Sequence, residues 1–172
     1  MNALKKLASF LNQSNEVIGR VLSWLVLALT LMVVYDVSMR YLFREGSVAI
    51  QEMEWHIFSL IFLLGAAYTY KNNEHVRVEI LYQKFSERTQ LWVDTLGDVL
   101  FLIPISIIVF KASLPFVQTA FEIMERSPDA GGLPYRYLIK AVIPAGFALL
   151  ALQGVANAID NLLKLYPPKG RH

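Results

Sequence analysis

Four long apolar runs, centred on residues 21–35, 57–70, 99–110 and 141–159, fill most of this chain, and the charged residues fall almost entirely between them. Crossing the hydrocarbon core of a bilayer takes about 20 apolar residues at about 1.5 Å of rise each. Only the fourth run reaches that length unaided. The other three must extend into polar or charged flanks. The pattern predicts an all-α membrane protein with four transmembrane helices over residues 17–40, 50–70, 92–120 and 137–163. Residues 1–172 then form a single membrane domain, with loops at 41–49, 71–91 and 121–136 and no room for a soluble one.

Composition narrows the chemistry. The chain is 55% hydrophobic and 17% charged, with a net charge of +2, and no basic cluster is dense enough for nucleic acid. It has no cysteine, which excludes thiolate catalysis, disulfide exchange and cysteine metal sites. His56, His75 and His172 are far apart and lack metal-ligand spacing. Lys5 and Lys6 resemble the charged start of a signal peptide. However, the apolar stretch runs on to Tyr35 and meets Asp36 and Arg40 rather than a small-residue cleavage site, so it reads as a retained span.

Lysine and arginine set the expected orientation. The N-terminal flank, the 71–91 loop and the C-terminal tail together hold ten, whereas the other two loops hold Arg40, Arg44, Arg126 and Arg136. The positive-inside rule then places both termini and the 71–91 loop in the cytoplasm and loops 41–49 and 121–136 in the periplasm. The expected site is a bacterial inner membrane, crossed several times.

Along the chain, Leu4, Leu7, Ala8 and Leu11 recur at helical spacing, which predicts a short amphipathic helix on the cytoplasmic surface over residues 2–15. Asp36 and Arg40 are four apart and can pair; Arg40 can also reach across the short loop to Glu52 or Glu54. Extending span two back to Ile50 draws Glu52, Glu54 and His56 into the outer interface, with Glu52, His56 and Ser59 on one face. A charge facing lipid there would be costly, so Glu52 or Glu54 should face protein. In the 71–91 loop, His75 lies in a turn, and the stripe of Ile80, Leu81, Phe85, Leu91 and Trp92 predicts a cytoplasmic interfacial helix between spans two and three.

Asp94 and Asp98 share a face near the inner end of span three. Pro104 predicts a kink there, with Pro115 able to add another, and Lys111 is the deepest charge in the chain. Ser127, Pro128, Asp129, Gly131, Gly132, Leu133 and Pro134 form a turn-rich outer loop ahead of Tyr135. Span four contains Gly154-x-x-x-Ala158, whose small residues allow close helix approach, and Pro167-Pro168 ends the helix. The midplanes of spans one, two and four are aliphatic, unlike those of small multidrug exporters with a carboxylate within their first span. Glu52, Glu54 and Glu74 lie toward opposite sides of the membrane and cannot form one catalytic site.

These residues carry a resemblance. Arg40-Tyr41-x-Phe43, Gln51-Glu52-Met53-Glu54-Trp55, Gly65-Ala66-Ala67, His75-Val76-Arg77-Val78-Glu79-Ile80-Leu81, Leu133-Pro134-Tyr135 and Ile143-Pro144-Ala145-Gly146 occur in the order and spacing of the small membrane subunit of tripartite ATP-independent periplasmic (TRAP) transporters. The resemblance covers residues 17–160. It implies a non-catalytic scaffold for a large permease subunit that carries the substrate and Na+ sites, so this chain needs no cofactor or metal of its own. A periplasmic binding protein would deliver an organic acid for Na+-coupled import. On that reading Asp36, Arg40, Glu52, Glu54, His56, His75, Asp98 and Lys111 are the candidates for contact with the large subunit or lipid. Ser127, Pro128, Asp129, Leu133 and Tyr135 are the candidates for docking the binding protein. The alternative is a stand-alone four-helix secondary transporter or channel.

Overall fold

The computed structural model describes residues 2–72, 82 and 84–166, and within these the regular structure is all helix, without strands. Helix α1 spans Asn2–Ser38 and ends in a π-helical turn, Met39–Phe43, closed by Arg44 in the left-handed conformation. Helix α2 spans Val48–Lys71. Helix α3, Glu87–Gly97, passes through a second π-helical turn, Asp98–Leu102, into α4, Ile103–Glu122. Helix α5 spans Arg136–Leu165. Four helical stretches are long and apolar enough to cross a membrane: Lys6–Phe43, Val48–Lys71, Glu87–Glu122 and Arg136–Leu165.

Helix α5 is the centre of the arrangement. It packs against α1, α2, α3 and α4, and α1 also packs against α2. No comparable packing joins α2 to α4, so α1, α2 and α5 form a triangle with the α3–α4 rod laid along α5. Backbone proximity explains why α5 can hold so many neighbours. Gly146, Gly154, Ala156 and Ala158 are all buried in it. A Cβ on Gly146 would stand 2.6 Å from the carbonyl oxygen of Leu63 in α2, and one on Gly154 would stand 2.7 Å from Leu102 Cδ2. On α4 the facing stripe is Ser106, Ser113 and Ala120, buried at seven-residue intervals. Small residues bring helices together in an apolar solvent, where burial of large side chains gives no advantage over lipid contact.

The interior is correspondingly small and polar. Its buried polar residues include Asn15, Asp36, Glu52, Asp98 and Gln153, whereas Trp24, Phe58, Phe62, Phe101 and Ile108 face outward. A ladder of amides ties α1 to α5. Asn15 Nδ2 donates to Gln153 Oε1 at 2.6 Å, Gln153 Nε2 donates to Asn12 Oδ1 and to Asn157 Oδ1 at 2.8 Å each, and Asn12 Nδ2 donates to Asp160 Oδ2 at 3.1 Å.

That ladder alters the expectation for the N-terminus. Residues 2–15 do not form a separate surface helix but the first turns of α1, without a break. Ala8 and Asn15 are buried while Leu7 and Phe10 are exposed, so Asn12 and Asn15 turn to α5 while Leu7 and Phe10 turn away from the protein. The amides have hydrogen-bond partners on α5 that outweigh exposure to water. The irregularity expected at Pro104 takes the form of the π turn immediately before it. Proline has no N–H to donate to the preceding turn, so the ladder is already interrupted at that point. Of the interfacial helix expected in the 71–91 loop, residues 73–81 and 83 lie outside the described residues, as does Pro167-Pro168; α3 begins at Glu87, capped by the Ser86 side chain, and runs straight into span three.

The close approach of α5 to α2 gives a direct test. Gly146→Ala forces the two backbones apart and is expected to destabilise the detergent-solubilised protein by about 1–3 kcal/mol, as overpacking does. Gly97→Ala, where an added Cβ meets nothing within 4 Å, should leave the thermal melting curve unchanged. Equal melting of both variants would contradict the packing described.

Candidate partner interface

Charged side chains gather at the two ends of the bundle. At the end carrying the α4–α5 loop, Glu52 is the organising group. It lies one turn inside α2 and is only 4% exposed. Its carboxylate accepts three hydrogen bonds from groups far off in sequence: the Ser127 hydroxyl, the Leu133 backbone N–H at 2.6 Å and Arg136 Nη2 at 3.0 Å. A buried carboxylate is tolerable only when paired and fully hydrogen-bonded, and this loop supplies both.

The loop is built to present those donors. Ser127 N donates to Leu133 O at 3.1 Å and Gly132 N to Asp129 O at 3.0 Å, and the Ser127 hydroxyl accepts from Asp129 N. Gly131 has φ +82°, a conformation that favours glycine. Gly132 has no room for a side chain, since a Cβ would press on Ser127 and reach 3.0 Å from Glu52 Oε2. At the start of α5, the Arg136 guanidinium also lies 5.7 Å over the Trp55 ring, and Lys140 pairs with Glu125 while its ammonium sits 4.1 Å over the Phe116 ring. Phe121, Tyr135 and Tyr137 pack edge to face beside them. The loop thus joins α2, α4 and α5 into one rim.

The expected pair of Arg40 with Asp36, one turn back, is present, whereas the longer reach from Arg40 to Glu52 is not made, and the cation of Glu52 is Arg136. The reason is local: i and i+4 share a face, and Asp36 is buried where the guanidinium reaches it. Glu54 lies on the other side of α2 from Glu52, with Asp36 and Arg40 as its charged neighbours, and its Oε1 is enclosed without a hydrogen-bond partner among the described residues. The His56 ring nitrogen Nδ1 bonds the Glu52 carbonyl and the ring lies 3.9 Å from that of Trp55, so it anchors its own helix. Pro128, Asp129 and Tyr135 are exposed on the loop, and Leu133 is half-buried.

At the opposite end, Lys71 pairs with Glu16 at 2.6 Å, which Arg20 joins at 3.5 Å. Asp98, expected to meet a partner or lipid, is instead fully buried and accepts from the Tyr70 hydroxyl. It stands at the start of the π turn, with Tyr70 of α2 as its donor. Tyr82 donates to Asp94 at 2.7 Å. A polar cleft of about 340 Å³ there is lined by Asn12, Lys71, Asp94, Asp98, Asp160 and Lys164. His75 lies outside the described residues. Lys111 is exposed on α4. Among the described residues no three His, Asp or Glu side chains gather as a metal site would require.

Sequence reasoning missed Arg136, Lys140 and the Asn12–Asn15–Gln153 ladder. A signal for each was present. Arg136 opens span four on the side where Glu52 opens span two. Asn12 and Asn15, and Gln153, Asn157 and Asp160, are polar stripes at helical spacing on helices that are otherwise apolar.

Removing the buried Glu52 carboxylate leaves the half-buried Arg136 guanidinium and Leu133 N–H without their acceptor. Glu52→Ala is therefore expected to cost about 3 kcal/mol and to speed tryptic cleavage at the exposed Arg126, while Asp129→Ala behaves like the parent in both assays. A Glu52→Ala protein with unchanged melting and cleavage would show that the loop is held by other contacts.

Comparison with known proteins accords with this architecture. Residues 29–164 match the family described as "Tripartite ATP-independent periplasmic transporters, DctQ component". A Haemophilus influenzae protein named "Putative TRAP transporter small permease protein" is 26% identical over 149 residues, covering 87% of this chain and 88% of that one. With four membrane-crossing helices, charges confined mainly to their ends and a family match across most of its length, this chain belongs to the DctQ component of the TRAP transporters, the small permease subunit.

Proposed function

We propose that the chain is a scaffold: the small membrane subunit that braces a large permease subunit during Na+-coupled import of an organic acid delivered by a periplasmic binding protein. Both termini and the 71–91 loop lie on the cytoplasmic side of a bacterial inner membrane, and the loops at 41–49 and 121–136 face the periplasm. Substrate and Na+ are held by the large subunit. Asp36, Arg40 and Glu54 form the part of the outer rim nearest α1, and the Glu52-locked loop offers Pro128, Asp129 and Tyr135 to the binding protein.

The observation that carries this reading is where the polar groups are and what they do. No Asp, Glu, Lys or Arg occurs between Arg20 and Asp36, between Glu54 and Lys71, or between Lys140 and Asp160, and Lys111 alone lies between Asp98 and Glu122. Transporters that bind and move ions themselves place ionisable groups or broken helices at the midplane. Here the charges inside the rims are engaged in holding helices and the outer loop in place.

Two experiments address the reading. Affinity purification after co-expression should recover the large permease with this chain, and liposomes holding both, with binding protein and an inward Na+ gradient, should take up substrate. Solute flux through liposomes holding this chain alone would overturn the scaffold assignment. For the loop, Asp129→Arg reverses a charge on an exposed position and leaves the Glu52 contacts intact. It is expected to weaken stimulation by the binding protein about tenfold, or about 1.4 kcal/mol, with assembly unaffected. Full stimulation would remove the loop from the docking surface.

A further inference from the structure

The α4 helix has one face committed to α5 and one turned away from the protein. Ser106, Ser113 and Ala120 mark the committed face. Lys111 is five residues beyond Ser106 and two before Ser113, so at 100° per residue it lies about 140–160° from that stripe. It is exposed, surrounded along the helix by exposed Ile107, Ile108 and Leu114. Among the described residues it has no carboxylate or hydrogen-bond partner, in contrast to Lys71, Arg136 and Lys140.

Its depth can be gauged from the rim. Lys140, paired with Glu125, sits over the Phe116 ring and marks the polar level of the outer end. Lys111 lies five residues before Phe116, about 7.5 Å further along the helix toward the bilayer centre. A lysine can snorkel from such a depth only if its side chain runs toward the near rim. On an α-helix every Cα–Cβ bond tilts toward the N-terminus, which for Lys111 is away from the Glu122 end. The other charged end of the rod, at Asp94, is 17 residues off, about 25 Å. The side chain therefore sets out toward the interior of the bilayer, where an uncompensated ammonium is strongly disfavoured.

From this geometry we infer that Lys111 and the apolar residues beside it form a docking face for a membrane-spanning helix of the large subunit, one that presents a carboxylate below the headgroup level. Charge complementarity selects that occupant. A phospholipid phosphate would meet the ammonium at the headgroup level, above the point to which the side chain is directed. The inference rests on the scaffold reading, since it supplies the contact through which the two subunits join. Isoleucine and leucine provide the packing, and the ammonium fixes the register by requiring its acid.

The test uses the co-expressed complex. With the photo-crosslinker p-benzoylphenylalanine at position 108, exposed beside Lys111, illumination should yield an adduct between this chain and the large subunit. Lys111→Met should lower recovery of the large subunit about fivefold, and Lys111→Arg should largely restore it. Neither substitution should shift the melting of the isolated chain, because Lys111 supports nothing within it. An adduct to phospholipid alone, or parental recovery by Lys111→Met, would overturn the inference while leaving the scaffold reading intact. If the unsubstituted chain recovers no large subunit, both fall.

Discussion

Lipid gives large apolar side chains no reason to seek one another, and that constraint explains most of this structure. Burial of leucine or phenylalanine inside the bundle would gain little over leaving it against acyl chains. The helices accordingly meet where side chains are smallest and where polar groups require partners. Gly146 lets α5 approach the backbone of α2, and Gly154 makes room for the Leu102 and Ile103 side chains of the α3–α4 rod. The Asn12–Asn15–Gln153 ladder binds α1. The aromatic and branched residues point outward. Because α5 buries Gly146, Gly154, Ala156 and Ala158 along its length, it becomes the element on which the others are hung.

The same rule governs the charges. Glu52 enters the protein interior at the start of α2, and the loop before α5 folds back to meet it with a hydroxyl, a backbone N–H and a guanidinium. The consequence runs from electrostatics to shape. A loop rich in proline and glycine, which would otherwise sample many conformations, is held in one, with Asp129 and Tyr135 on its outer surface. A pre-formed surface of this kind avoids ordering entropy on binding.

The two π-helical turns mark where the regular geometry gives way. The first closes α1 ahead of Arg44. The second lies between Asp98 and Leu102, one turn ahead of Pro104. An extra residue in a turn rotates the side chains beyond it around the helix axis; here the turn opens at Asp98, which is buried against Tyr70, and ends at Leu102, which packs against Gly154. The interruption that proline makes necessary thus lies between a buried carboxylate and a glycine contact.

How much of this was legible in the order of residues depends on the range of each effect. The sequence by itself determined four spans, the polar groups at their ends, the Pro/Gly turn over 127–134 and the need for Glu52 or Glu54 to face protein, because hydropathy, turn chemistry and the cost of a bare charge in lipid are local properties. The TRAP-type motifs could also be read from the order of residues alone. The tertiary structure decided the partners. Arg136 reached Glu52 from 84 positions away, Asp98 turned inward, and the N-terminal turns presented their amides to α5 instead of to water. Each of those outcomes depends on which helix faces share a boundary, and a chain of helices in lipid fixes that only when its small residues and polar groups settle against one another in three dimensions.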